Sequence, residues 1–495
     1  MPRSWTNSDL LLPPRPGLGR RRGLEQALRD AIRDGRVAVG ERLPATRMLA
    51  RDLGVSRGTV VEVYEQLIAE GYLTARQGSG TEVARSAVAP AQPRAEPTAE
   101  PTPRFDFHPG VPDPTSFPAD QWVRALRRAL RSVRPERLGY QDPRGTPELR
   151  FVLASYLARA RGVATSPELV VTCSGFVRGL DLACHALRAT GARRLGMENP
   201  TIPIHLEVVA AAGLEVVPLE VDEHGVRIEM VEASRADAVL VTPAHQFPLG
   251  STLSPERRSA LVEWARRTGG FVIEDDYDGE FRYDRQPIGA RQALDPDRVV
   301  YAGTASKTLA PALRMAWLAL PPALLDRVVE RKRLGERQLP FTDELTLAEL
   351  IESGDWDRHL RRMRGRHRSR RDQLIGMLAE RAPGARALGI SAGLHAVVQL
   401  PDGGPSEREL LARADERSVG VIPLGRFWHG PRRRRPAALV VGYGSPPEHR
   451  FEAALRALGD VLAGSSPPPG SRSTGNEASR VRRPRRHPQP PPGGG

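Results

Sequence analysis

The chain of 495 residues contains only two cysteines, Cys173 and Cys184. Neither belongs to a CxxC pair or sits beside a histidine cluster, so neither a disulfide framework nor a zinc site is supported. A reducing cytoplasm is the simplest compartment, and no metal is expected. Long apolar runs are missing as well: no stretch approaches the roughly 18 apolar residues of a membrane helix. The opening MPRSWTNSDLLLPPRPG lacks the apolar core of a secretory leader. The expectation is an unexported protein with no membrane partner. Disorder is excluded for most of the chain by a composition of 40% hydrophobic and 27% charged residues.

The net charge of +14 points to a polyanionic partner, but the tail after Gly464 holds six arginines against one glutamate and distorts that average. Composition shifts divide the chain into a basic segment, 1–83, a Pro/Ala/Glu-rich linker, 84–104, a long region, 105–464, and a Pro/Gly/Arg-rich tail, 465–495, unable to bury a core. In the long region, β-branched runs (LVVTC, GLEVVPL, AVLVTP, FVIEDD, RVVYAG) alternate with arginine-rich amphipathic segments. That alternation predicts an α/β fold with a mostly parallel sheet. Beyond about Leu324 the pattern turns helical, then returns to strands at LHAVVQL and ALVVGYG, which fits a smaller α+β lobe.

In the basic segment, LEQALRDAIRDG places Leu24, Leu28 and Ile32 at helical spacing. LPATRMLARDLGVSRGTVVEVYEQLIAEGYL predicts two more helices broken at Gly54, with Ser56 capping the third. YLTARQGSGTEVA offers two strands around a Gly-Ser-Gly turn. Helix, turn, helix and wing in this order resemble the GntR class of winged helix-turn-helix domains. The resemblance implies double-stranded operator DNA as partner, contacted by Arg47, Ser56, Arg57 and Thr59, with Gly78 and Gly80 bringing the wing to the backbone. An arginine there could read a guanine edge. The bland alternative is a three-helix packing module with solvated arginines.

GTASKTLAPALR, 303–314, surrounds Lys307 with hydroxyls and an arginine. A phosphate-binding Walker loop fails because Ser306 stands where glycine is required. Three other stretches belong with it: EDDYDGEFRY, ending a strand in acids and a tyrosine; TCSGF, opening a helix; and GYQDPRGTPELR. As a set they supply what pyridoxal 5′-phosphate needs: an amine, an acid for the pyridine nitrogen, a hydroxyl for the ring oxygen and a phosphate cup. Each residue alone has a plainer explanation, such as a surface lysine, an exposed acidic pair or a helix cap.

These motifs resemble the fold-type I aminotransferases, and their combination with a GntR-like head resembles the MocR family of regulators. The resemblance implies Lys307 as the Schiff-base lysine, Asp275 at the pyridine nitrogen, and Tyr277 at the ring oxygen, two residues along the same strand. Ser174, Gly175, Phe176, Thr304, Ser306 and Arg314 would hold the phosphate, and Tyr140 would reach the phosphate of a neighbouring subunit in a homodimer. Two departures bear on catalysis: Ile202 stands where relatives place a ring-stacking aromatic, and Val440 where aminotransferases carry the arginine for the substrate carboxylate. Gln246 and Phe247 stand near the usual asparagine for the ring oxygen. The run Arg432–Arg435 could replace the missing arginine or be a solvated loop.

Three functions follow. The first is a regulator that takes pyridoxal phosphate as effector or as handle for an amino compound. The second is an active aminotransferase with an appended DNA-binding head, and the third a general nucleic-acid binder driven by the tail. The linker of about twenty residues spans roughly 25 Å as flexible coil.

Overall fold

Leu24, Leu28 and Ile32 line the buried face of the first helix, α1 (Arg20–Arg33), as their spacing requires. The computed structural model describes residues 19–76, 80–84, 102–283, 290, 292–389, 392–430 and 435–463. Helix α2 (Thr46–Leu53) stops at Gly54, whose φ of 62° is left-handed and favours glycine. Helix α3 (Arg57–Ala69) starts at Ser56, whose hydroxyl accepts from the Thr59 amide at 3.1 Å. Leu28, Ile32, Val60, Val63 and Leu67 are fully buried, each contributing about 1.5–3 kcal/mol. Strands β1 (Leu73–Arg76) and β2 (Gly80–Val83) pair antiparallel, placing Leu73 and Val83 in the same core. The predicted wing residue Gly78 lies outside the described residues, as do 85–101 in the linker, Arg432–Arg434, and the tail from 464.

The chain divides into two units, Met1–Pro101 and Thr102–Gly495. The second begins with β3 (Phe105–Asp106), which pairs with a short strand near residue 419. Its eight-stranded sheet comprises β4 (Val170–Cys173), β5 (Arg194–Asn199), β6 (Glu215–Asp222), β7 (Gly225–Val226), β8 (Ala238–Val241), β9 (Phe271–Asp275), β10 (Val299–Thr304) and β11 (Ala316–Ala319). The order is 4-11-10-9-8-5-6-7. Strands 10, 9, 8, 5 and 6 run parallel, while β11 is antiparallel to both neighbours. Strands 4, 8, 9, 10 and 11 are buried at every position, because helices cover both faces. Helices Pro322–Leu334, Phe341–Glu352 and Asp355–Arg381 follow. They lead into a four-stranded sheet containing Ala396–Gln399 and Ala438–Val441. The mostly parallel sheet and the smaller α+β lobe expected from the sequence are both present.

Candidate functional site

Register brings the chemistry together. Asp275 of β9 pairs with Ala302 of β10; Thr304 of β10 and Cys173 of β4 both face Ala316 of β11. The C-terminal ends of β4, β9 and β10 therefore share one sheet edge, the usual ligand edge of an α/β sheet. Segments 174–176, 276–278 and 305–307 leave that edge together.

The Lys307 ammonium donates to the Gly110 carbonyl at 2.6 Å. Gly110 has φ +81°, and a Cβ there would lie 3.0 Å from the Lys307 Nζ, so glycine makes room for the amine. Burial lowers the Lys307 pKa, while Asp275 and Asp278 oppose the shift. Asp275 is only 5% exposed. Burial holds its carboxyl well above the usual range; Lys307 pulls it down, and Asp276, Asp278 and Glu198 push it further up. Among the described residues no group hydrogen-bonds to its carboxyl. Its neighbour Asp276 is instead consumed by structure. Arg161 grips it through two bonds of 2.7 and 2.8 Å, and the Tyr301 hydroxyl adds a third at 2.7 Å.

Strand β9 ends at Asp275, so Tyr277 sits in the bend beyond it and is not placed by strand alternation as expected. Its hydroxyl donates to the His245 carbonyl at 3.0 Å and lies 3.1 Å from His245 Nδ1. That ring bridges the Asp278 carboxylate at 2.7 Å and the Gly389 carbonyl at 3.0 Å. Both nitrogens of the imidazole thus face oxygen partners. Burial lowers its pKa, but Asp278 more than compensates and the net shift is upward. His395 lies beside it at 5.0 Å between ring centres, is held neutral by burial, and bonds the Pro248 carbonyl at 3.1 Å. His245, Asp278 and His395 are close enough to ligate a metal, yet three of the four ring nitrogens already have protein partners. Gln246 does not face the ring-oxygen position through a free amide: it bonds Pro200 and Phe247 carbonyls at 2.9 and 2.7 Å and the Leu249 amide at 3.1 Å.

The cup forms where helix Phe176–Ala189 starts, with no side chain capping its first turn. Gly175 has φ +87°, and a Cβ there would lie 2.9 Å from the Arg314 guanidinium carbon. One Arg314 nitrogen donates to the Ser174 carbonyl at 2.7 Å, leaving further donors of the fork to face an anion. Thr304 is spent within the loop, between Met315 O, Ser306 Oγ and the Ser306 amide at 3.0–3.1 Å. It shapes the turn that presents Ser306 and Lys307. Phe176 meets His205 edge-on at 5.0 Å; burial, then the Lys307 charge, push His205 down to about 4. Tyr140 contributes nothing to its own cup: it is 83% exposed, its ring under Arg337 at 4.2 Å.

Val440 is fully buried in a cluster with Phe247 and Phe427, against which Ile202 and Tyr277 pack. This wall is apolar where an arginine clamp would need a polar lining. Arg435 stacks on Trp428 at 3.3 Å.

In the head, Arg47 and Arg57 are exposed and form no ion pair among the described residues. Gly80 has φ +87° and open space where a Cβ would stand. The Thr59 hydroxyl is occupied by Ser56 Oγ at 2.8 Å, so this pair first caps α3.

Sequence reasoning did not find His245, Asp278, Arg161 or His205. The PAHQFPLG stretch carries a signal for His245 beside Gln246; Arg161 carries no local signal.

A bacterial gntR-family regulatory-protein model matches residues 20–83, and an aminotransferase class I and II model matches residues 110–428. Fold and motifs thus define a class: a GntR-type head fused to an aminotransferase-like domain. Relatives of the same build include the probable rhizopine catabolism regulatory protein MocR of Rhizobium meliloti, 34% identical over 85% of this chain and 89% of its own. The HTH-type pyridoxine biosynthesis transcriptional regulator PdxR of Corynebacterium glutamicum is 31% identical over 89% of this chain and 95% of its own. The multiple substrate aminotransferase of Thermococcus profundus shares the fold, with a TM-score of 0.65 at 24% identity over 73% of this chain and 92% of that one. The chain belongs to the MocR family of GntR-type transcriptional regulators.

Proposed function

We propose that the large unit takes up pyridoxal 5′-phosphate through Lys307, as a sensed effector or as the handle for an amino compound, and that its state biases operator binding by the winged head. The observation that carries the reading is Asp275: a buried carboxyl without a hydrogen-bond partner, beside a lysine whose proton burial loosens. A pyridinium N–H would satisfy that acid, and an aldehyde would take that amine. When bound, the cofactor supplies an electrophilic carbon and an electron-withdrawing ring.

Around it, Asp275 would hold the proton at the ring nitrogen, and Tyr277 would meet the ring oxygen from its seat on His245. Ser174, Gly175, Phe176, Ser306 and Arg314 would bind the phosphate, with Thr304 ordering their loop. Tyr140 serves a second subunit in this reading. Support for a homodimer comes from large apolar side chains left exposed between residues 123 and 151: Leu138 at 67%, Phe151 at 64%, Leu130 at 45% and Val123 at 43%. Arg47 and Arg57 would enter the major groove with Ser56 and Thr59, while Gly78 and Gly80 bring the wing to the phosphates. A cytoplasmic location follows from a DNA partner.

The buried Val440 and the apolar wall around it favour sensing over steady transamination, because the described residues of that wall offer no group to orient an α-carboxylate. The test is to load the protein with cofactor, add a panel of amino acids and keto acids, and follow absorbance and keto-acid release. A single spectral change without sustained product is expected. Continuous keto-acid formation would instead establish the aminotransferase.

A further inference from the structure

Glu336 follows helix Pro322–Leu334 and reaches back to the start of helix Phe176–Ala189. One carboxylate oxygen accepts from the Ser174 hydroxyl at 2.6 Å and the Ser174 amide at 3.3 Å. The other oxygen is buried with no hydrogen-bond partner; the Lys332 ammonium stands 3.7 Å away. Arg178 lies 3.6 Å from the bonded oxygen. The chain thus places its own anion on donors that the cofactor reading gives to a phosphate, and leaves half of that anion's acceptor capacity unmet.

We infer that Glu336 is an internal anion that holds the phosphate cup until a phosphorylated ligand displaces it, and that its turn passes the exchange on to the Tyr140 segment. The inference rests on the cofactor reading. A phosphate carries more charge and more acceptor oxygens than a carboxylate, so it wins the Ser174 donors once the pyridine end is anchored. Two anions do not share them.

The turn is tied to a second place. Arg337 has φ +58°, a left-handed conformation seldom adopted by arginine, and its guanidinium covers the Tyr140 ring. The Gln338 side-chain carbonyl accepts from the Gln141 amide at 2.7 Å, and Lys332 donates to the Pro143 carbonyl at 2.5 Å. Residues 332–338 therefore hold the cup at one point and residues 140–143 at three. Releasing Glu336 removes the cup anchor and loosens the turn, and with it the Gln338 hold on the Gln141 amide, in the part of the chain assigned above to a second subunit.

The experiment compares the full-length wild type with Glu336→Gln, and with Glu336→Ala as a second variant, in binding pyridoxal 5′-phosphate, inorganic phosphate and pyridoxal. Removing the charge is expected to tighten the two phosphate ligands by about tenfold and to leave pyridoxal unchanged. Hydrogen exchange at Gln141 should quicken on loading in the wild type and already be quick in the unloaded variants. Equal affinities in all three proteins, or a Gln141 amide indifferent to loading, would overturn the inference while cofactor binding itself stands. Failure of pyridoxal 5′-phosphate to bind any of the three would overturn the cofactor reading, and the inference with it.

Discussion

The tip of α3 and the floor of the cleft both work with charge, but in opposite surroundings. In the head, Arg57 at the tip of α3 and Arg47 on α2 stand in water with no anionic partner among the described residues. In the cleft, Lys307, Asp275 and His245 are desolvated, and burial shifts each pKa; Lys307 and Asp275 act on each other, while Asp278 acts on His245. Exposed cations attract a polyanion at long range, and salt weakens them. Desolvated groups act over one bond length, where a misplaced proton changes the chemistry. The same contrast recurs between two neighbouring residues. Asp276 is saturated by Arg161 and Tyr301, whereas Asp275 is left for something else.

That pair offers the sharpest break. Asp276→Asn leaves the Arg161 guanidinium buried without its counter-charge and should cost about 3–5 kcal/mol in chemical denaturation. Asp275→Asn should change the stability of the cofactor-free protein by under about 1 kcal/mol, yet weaken pyridoxal phosphate binding. Equal losses in the two variants would erase the distinction between a structural and a functional carboxylate.

Arg57→Ala should weaken specific operator binding by about 1–3 kcal/mol if it reads a base, with the cofactor spectrum unchanged. A uniform loss across DNA sequences would make Arg57 a phosphate contact instead.

His205 tests the desolvated side by pH. Its folded pKa near 4 lies below the ordinary 6.5, so between these values the unfolded chain binds the extra proton. Stability therefore falls as pH drops through that window, by at most about 1.4 kcal/mol per pH unit. His205→Gln should flatten the slope between pH 6.5 and 4, measured by denaturant titration; an unchanged slope would show that His205 is not held neutral.

The smallest effect is expected from deleting Ser465–Gly495: a shallower salt dependence of DNA binding with sequence preference intact. Loss of all binding would transfer the role to the tail.

Much of this contrast was legible in the sequence, because the residues at issue sit at element boundaries. Ser56 and Gly54 mark helix ends by their chemistry; Asp275 ends a strand, and Lys307 and Ser174 follow strands, whose apolar runs locate them. The missed residues are set by register and by contacts distant along the chain. Arg161 reaches Asp276 across 115 residues, Glu336 reaches Ser174 across 162, and no local pattern announces either. Tyr277 shows the same boundary from the other side: strand alternation would place it, but β9 ends two residues earlier and His245 seats it instead.

The most direct test is an absorbance titration of the full-length protein with pyridoxal 5′-phosphate, run beside Lys307→Ala. A visible band that saturates in the wild type and is absent from a folded Lys307→Ala protein is the predicted result. A band of equal strength in both, or none in the wild type, would contradict the assignment of the cleft.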